Sequence, residues 1–195
     1  MDRIPLVSIH NGVLLDGLEG NELSIDKLFA RVDKDSMLYV LDRDGIERNR
    51  PNLDLYQQLT EHCVLWVDGG PRSLDDVMDI IMSGATNLTL RPDRWPDADI
   101  EGIFELTDDE VYYAVTPEQT TQSPYLPKST TGVGVIVFPD EHQIEHDFTA
   151  ASYLKELGMK YKLYLYVGDV KSPSDWWEQG LTGLVVDART IGGPK

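Results

Sequence analysis

The strongest constraint on the fold is a rhythm. Short apolar runs recur along the chain, each giving way to polar or glycine residues. They are IPLVSI (4–9), MLYVLD (37–42), CVLWVD (63–68), NLTLR (87–91), GIFEL (102–106), GVIVF (134–138), LYLYVG (163–168) and GLVVD (183–187). Unbroken runs of this length describe strands covered on both faces, as in a parallel sheet; a strand with one wet face alternates instead. Helical patterns separate several of them. Ser24 stands where it can N-cap IDKLFARV, and Pro51 opens PNLDLYQQLTEH. Ser73 precedes LDDVMDIIMSG, with Asp75 and Asp76 in its first turn, and Asp147 precedes FTAASYLKELG. A hydroxyl or carboxylate at such a start accepts from free first-turn N–H groups, and acids there suit the helix dipole. SPSDWWEQG reads as a shorter helix. Eight strands alternating with helices predict an α/β fold, a (β/α)8 barrel of TIM type.

The helices fall short of eight. Only RPDRWPDADIE bridges the fourth and fifth runs, only TPEQTTQSPYLPKST fills the space before Gly132, and the sequence stops soon after the eighth run. Helices 4, 5 and 8 are therefore expected to be missing or vestigial, which brings 195 residues below the ~250 typical of such barrels. An open sheet of fewer strands is the structural alternative. WVDGGPRSLDDVMDIIMSGATNLTL and YVGDVKSPSDWWEQGLTGLVV share strand, turn, capped helix and strand. That echo divides a single barrel domain, 1–195, into halves of about 1–97 and 98–195.

Composition narrows the partners. With 41% hydrophobic residues the chain can bury one good-sized core, and no apolar run approaches the roughly 18 residues that span a bilayer. The N-terminal residues do not read as a secretory signal. Cys63, the single cysteine, sits in the apolar CVLWV and reads as a reduced, buried thiol. A cytoplasmic location is expected. The net charge of −17 offers no basic footprint for nucleic acid and repels an anionic membrane surface. A small-molecule metabolite is the expected partner. No dinucleotide fingerprint, P-loop or nucleophile elbow occurs. Trp66, Trp176 and Trp177 fit packing positions, and Trp95 fits a cover over the gap at helix 4.

VLDRDGIERNRPNLDLYQQL followed by VDGGPRSLDDVMDIIMSGA resembles the first half of the phosphoribosylformimino aminoimidazole carboxamide ribotide isomerase of histidine biosynthesis, a barrel with a sister cyclase subunit. IPLVSIHNG is similar to that family's first strand. The likeness covers roughly residues 4–90 and is faint beyond. It extends to a branch found in methanogens and methylotrophs, which implies a role in one-carbon or cofactor metabolism. Within the resemblance, the isomerase's two catalytic aspartates fall on Ser8 at the end of strand one and on Glu105 at the end of strand five. A serine of ordinary pKa is a poor general base, so the histidine-pathway reaction is not expected. The family's first-half phosphate turn falls on Gly69 and Gly70. Asp68 takes the place of a glycine there, and Arg91 stands where it can supply charge. Two readings of the turn stand: an anion site on helix N–H groups, or a strand-to-helix turn alone.

Ligands of such barrels sit at the C-terminal strand ends. Those ends read Ser8 and His10, Asp42 and Asp44, Asp68, Arg91, Glu105, Asp140, Asp169, and Asp187 with Arg189. Clustered carboxylates raise one another's pKa, which suits proton transfer, a divalent metal or a cationic substrate. Glu105 and Asp42 are the acid–base candidates. His142, Glu145 and His146 spell the H-x-x-E-H of zinc peptidases, but that chemistry needs the histidines on a helix, and Asp147 reads as the cap of the next one. A metal held by His142 or His146 with ring carboxylates is the looser reading, and a solvated polar loop is the plain one. Three functions remain open: acid–base chemistry on a small polar or phosphorylated metabolite, a non-catalytic binding or assembly protein that covers bare strands by homo-oligomerisation, and a metal-dependent lyase or hydrolase.

Overall fold

A computed structural model describes residues 1–121, 126, 131–139, 148–169 and 180–192. Nine strands form one sheet. The first, β1 (Asp2–His10), turns back at Asn11 and Gly12, with φ of 52° and 72°, into the short antiparallel β2 (Val13–Leu15). An Asn-Gly pair is the residue choice that a two-residue turn with positive φ favours. The barrel strands follow in order: β3 (Met37–Asp42), β4 (Val64–Asp68), β5 (Ala85–Leu90), β6 (Val111–Val115), β7 (Val133–Val137), β8 (Lys162–Gly168) and β9 (Gly183–Asp187). Each pairs in parallel with the next, β1 pairs with β3, and β9 closes on β1 with Ile4 beside Val185. The result is a closed, eight-stranded parallel barrel of TIM type, shortened in its helices.

The described helices are α1 (Ile25–Phe29), α2 (Arg43–Arg48), α3 (Leu53–Leu59), α4 (Leu74–Met82), α5 (Ile100–Leu106), α6 (Pro117–Thr121) and α7 (Phe148–Gly158). Ser24 and Ser73 cap α1 and α4 as the sequence predicts, accepting from Lys27 N and Asp76 N. Position five of the barrel differs from the sequence reading. GIFEL is not a strand but part of α5, whose cap is Asp99 and whose buried side is Ile103. VYYAV, buried at every residue, is the fifth barrel strand, β6. Helix 4 is thus present as seven residues; among the described residues helix 5 is represented by the five of α6, and the 3-10 turn Ala188–Thr190 is the one helical element after β9. Helix α2 carries no apolar periodicity and was not expected; Asp42 starts it by accepting from Asp44 N and Gly45 N. Among the described residues no helix is long and apolar enough to cross a membrane.

Two apolar shells result. The outer one packs the strands against the helices and holds Cys63, Tyr56 and the partly buried Trp95. The inner one fills the lumen with Leu6, Tyr39, Leu41, Trp66, Tyr112, Ile136, Tyr164 and Tyr166. Its rings touch: Trp66 lies 4.0 Å from Tyr112 and 4.9 Å from both Tyr39 and Tyr164, centroid to centroid. Two lumen glycines make this crowding feasible. A Cβ at Gly183 would stand 2.7 Å from the Tyr164 ring, and one at Gly134 would collide with Tyr112. Small and large residues alternate across the lumen, so it is a packed core rather than a pore.

Candidate functional site

The pleat decides which strand-end side chains reach the mouth. On β4, Trp66 faces the lumen, so Asp68 does too. On β5 the inward positions are Asn87 and Thr89, which carries Arg91 inward at the next step. The two meet as a fork: Arg91 Nε donates to Asp68 Oδ1 at 3.0 Å and Nη2 to Oδ2 at 2.7 Å. Asp68 is 0% exposed and the Arg91 side chain 21%. The Tyr39 hydroxyl donates to the same carboxylate at 2.9 Å. Burial opposes the charge on Arg91, but the Asp68 carboxylate more than offsets it, and the net pKa rises. Burial, and then the Asp68 charge, push the Tyr39 phenol well above its ordinary value.

A second carboxylate stands across the lumen. Asp187, the last residue of β9, is 1% exposed. Its Oδ1 accepts from the Tyr166 hydroxyl at 2.8 Å and from Leu18 N at 3.1 Å, and its Oδ2 lies 2.8 Å from Arg189 Nη2. Burial raises the Asp187 pKa, against the lowering by Tyr166, the Leu18 N–H and Arg189. Phe138 lies between the two clusters. Its ring centroid is 5.5 Å from the Arg91 guanidinium carbon and 5.3 Å from the Tyr166 ring.

Residues 16–19 form a strap over this end. The Ser8 hydroxyl donates to Gly17 O at 2.6 Å. Arg189 donates through its backbone N to Asp16 O and through Nη1 to Glu19 O. Leu18 packs onto the lumen residues. Gly17 is required by proximity, since a Cβ there would stand 2.5 Å from Asp187 Cγ. The position that resembles the isomerase's first catalytic aspartate is therefore a hydroxyl tied to this strap. On the fifth strand the inward residues are Tyr112 and Ala114, and neither is an acid.

Several sequence expectations are relocated. Glu105 is not at a strand end; it is exposed on α5. That helix runs back toward the N-terminal face before β6, so its last turn lies away from the mouth. Asp42 is buried but faces outward, because Tyr39 and Leu41 hold the inward positions of β3. Its carboxylate accepts from Asp44 N, Gly45 N, Asn52 N and the Tyr56 hydroxyl, the last at 2.5 Å. Burial nevertheless raises its pKa. Asp44 accepts from Asn11 N, Gly12 N and Asn52 Nδ2, which pins the β1–β2 hairpin. Despite burial, these bonds lower its pKa. The DRDG and RPN segments thus build a loop framework beside the mouth.

Gly69 and Gly70 make the β4–α4 turn and are buried against α2. Gly70 has φ of 62°, and a Cβ there would stand 2.6 Å from Ile46 Cα. The first turn of α4 is closed by its own side chains, with Ser73 Oγ accepting from Asp76 N and the Asp76 carboxylate from Arg72 N. Arg91 faces the lumen on Asp68. His10, at the end of β1, is half-buried, and its Nδ1 is buried with no partner among the described residues. Asp169 is exposed and paired with Arg189. Asp140, His142 and His146 lie outside the described residues. Among the described residues no group of three or more His, Cys, Asp or Glu side chains is arranged to hold a metal ion. The sequence reading missed Tyr39, Tyr166, Phe138 and the strap. The two-residue spacing from Tyr39 to Leu41 and from Tyr164 to Tyr166 was the available signal.

No family model matches the chain, and no curated protein matches it in sequence. The likeness to the histidine-biosynthesis barrel rests on the quoted residues. Solved structures do match in fold. A dihydropteroate synthase from Yersinia pestis superposes with a TM-score of 0.53 at 12% identity, over 97% of this chain and 89% of that one. A methylornithine synthase gives 0.51 at 13% identity, over 99% and 72%. A mutant tryptophan synthase α-subunit from Pyrococcus furiosus gives 0.47 at 12% identity, over 78% and 75%. The fold and the mouth define the chain as a TIM-barrel protein.

Proposed function

We propose that this chain is a diverged relative of the histidine-biosynthesis isomerase that no longer performs that reaction. In this reading its C-terminal mouth binds a small polar metabolite with an anionic group and moves a proton on it, within one-carbon or cofactor metabolism. The observation that carries the proposal is the pair of Tyr–Asp–Arg units facing the lumen on either side of Phe138. The two units divide the work. Asp68 holds the Arg91 fork in place, and Arg91 Nη1, which donates to neither Asp68 oxygen, offers its N–H groups to an anion. Asp187, with its raised pKa, is the proton-transfer group, and Tyr166 and Arg189 orient it. The strap must lift Leu18 for a substrate to reach it. Four sequence candidates take other parts here: Asp42 organises the loop, Gly69 and Gly70 shape the turn, and Glu105 stays outside the chemistry.

The test is deuterium incorporation from D2O into a panel of small phosphorylated and carboxylated metabolites, followed by mass spectrometry. Asp187→Asn is expected to lose exchange by roughly a hundredfold or more, the scale of one general acid–base group, while Glu105→Gln exchanges like wild type. Exchange that survives in Asp187→Asn removes Asp187 from the mechanism. The strap favours one alternative, a non-catalytic binding protein whose mouth is shut by design. That reading predicts ligand retention by both proteins with no exchange in either.

A further inference from the structure

One peptide group of the strap is held from both sides by buried side chains at the mouth. The Ser8 hydroxyl donates to Gly17 O at 2.6 Å, and the N–H of the same peptide, that of Leu18, donates to Asp187 Oδ1 at 3.1 Å. Among the described residues the Ser8 hydroxyl bonds only to the strap, to Gly17 O and, at 3.3 Å, to Leu18 O. It makes no hydrogen bond to the barrel itself. A buried polar group costs free energy unless it is paired, so an apolar residue at position 8 would serve the barrel alone better. What the hydroxyl does here is grip an amide. Beside that amide, the Leu18 side chain packs onto the lumen residues. The strap therefore fills the mouth as a bound molecule would, with an acyl oxygen on Ser8, an N–H on Asp187 and a branched apolar group on the lumen.

The tip can leave without unpairing the hairpin that carries it. Its base is closed by Asp16 N on Asn21 O, Asn21 N on Asp16 Oδ1, and Leu23 N on Leu14 O. Residues 17–20 alone form the tip, and Leu18 is only half-buried. Lifting it gives up the bonds to Ser8, Asp187 and Arg189 and the packing of Leu18. A ligand restores most of that loss only if it brings the same groups, because Ser8 and Asp187 are otherwise left buried and unpaired. We propose that the mouth recognises a secondary amide, an N-acylated small acid whose acyl oxygen takes the Ser8 hydroxyl, whose N–H takes Asp187 Oδ1 and whose branched apolar group takes the place of Leu18. This rests on the reading of the mouth as the binding site, and it names the chemistry of the ligand. Leu18 is then a built-in competitor that keeps the empty site closed.

N-acetylleucine is the probe. It is titrated into the full chain and followed by calorimetry and by hydrogen exchange at the Leu18 amide. Saturable binding is expected, with Leu18 exchange rising in step with occupancy, since the ligand takes the acceptor of that N–H. N-acetyl-N-methylleucine lacks the donor and is expected to bind roughly ten- to a hundredfold more weakly, the scale of one hydrogen bond to a charged group. Leu18→Ala trims the competing side chain and is expected to bind N-acetylleucine about three- to tenfold more tightly, because the open mouth is more populated. No saturable binding overturns the proposal, and so does binding that leaves Leu18 exchange unchanged. Equal affinity for the N-methylated compound, or no gain in Leu18→Ala, overturns it too. Neither readout needs turnover, so failure here is distinguishable from failure of the proton-transfer reading.

Discussion

Breaking the Asp68–Arg91 pair is the sharpest test of how the mouth is held together. In Arg91→Met the Asp68 carboxylate keeps one side-chain donor, the Tyr39 hydroxyl, and loses the fork that bonds both oxygens. Asp68 is 0% exposed, so water does not replace the guanidinium without the mouth opening. Removing one partner of a buried pair costs about 3–5 kcal/mol, because it strands the other charge. Arg91 is 21% exposed, which admits some solvent and sets the expectation near the low end, about 3 kcal/mol. For a chain of this size that is a fall in melting temperature of roughly 6–12 °C. Urea unfolding at neutral pH measures it. The control is the double variant Asp68→Leu/Arg91→Met. Replacing both partners with apolar groups removes the stranded charge, so most of the loss should return. A coupling energy of at least about 2 kcal/mol is expected from the cycle. A loss under about 1 kcal/mol in Arg91→Met, or additive single variants, would show that the pair is solvated and refute the buried fork.

Two further outcomes follow from the geometry. Gly70→Ala places a Cβ at φ of 62° and 2.6 Å from the Ile46 backbone; it should cost about 2 kcal/mol or more in urea unfolding, and a near-neutral effect would contradict the packing of the turn on α2. Asp187 gives a pH signature. Its folded pKa is raised above the unfolded value of about 3.9, so its contribution to stability is full below that value and is lost as pH rises through the folded pKa. Asp187→Asn should therefore gain stability relative to wild type as pH rises from about 4; a difference that shrinks instead would mean the carboxylate is stabilised as an anion.

How far the mouth could be read from the sequence depended on the residue. Asp68, Arg91 and Asp187 were legible as strand-end residues because each ends or closely follows an apolar run; that they point inward was not. Asp42 has the same sequence context and points the other way. The difference is one step of pleat, and an all-apolar strand carries no alternation to fix that phase. GIFEL failed for a related reason: a short apolar run satisfies either a strand or a helix face. The Asp99 cap and the fully buried VYYAV after it decided for helix.

The sequence by itself determined the barrel class, the parallel character of its strands and the shortage of helices, because these follow from local periodicity, caps and turn residues; it did not determine which run forms the fifth barrel strand, since GIFEL is helical and VYYAV takes that place. Only the tertiary structure decided which acids face the lumen, that Ser8 ties down a strap, and that Arg91 is committed to Asp68. Those are contacts between residues far apart along the chain. They are set by barrel closure and by which side chains fill the lumen, and no local pattern encodes them.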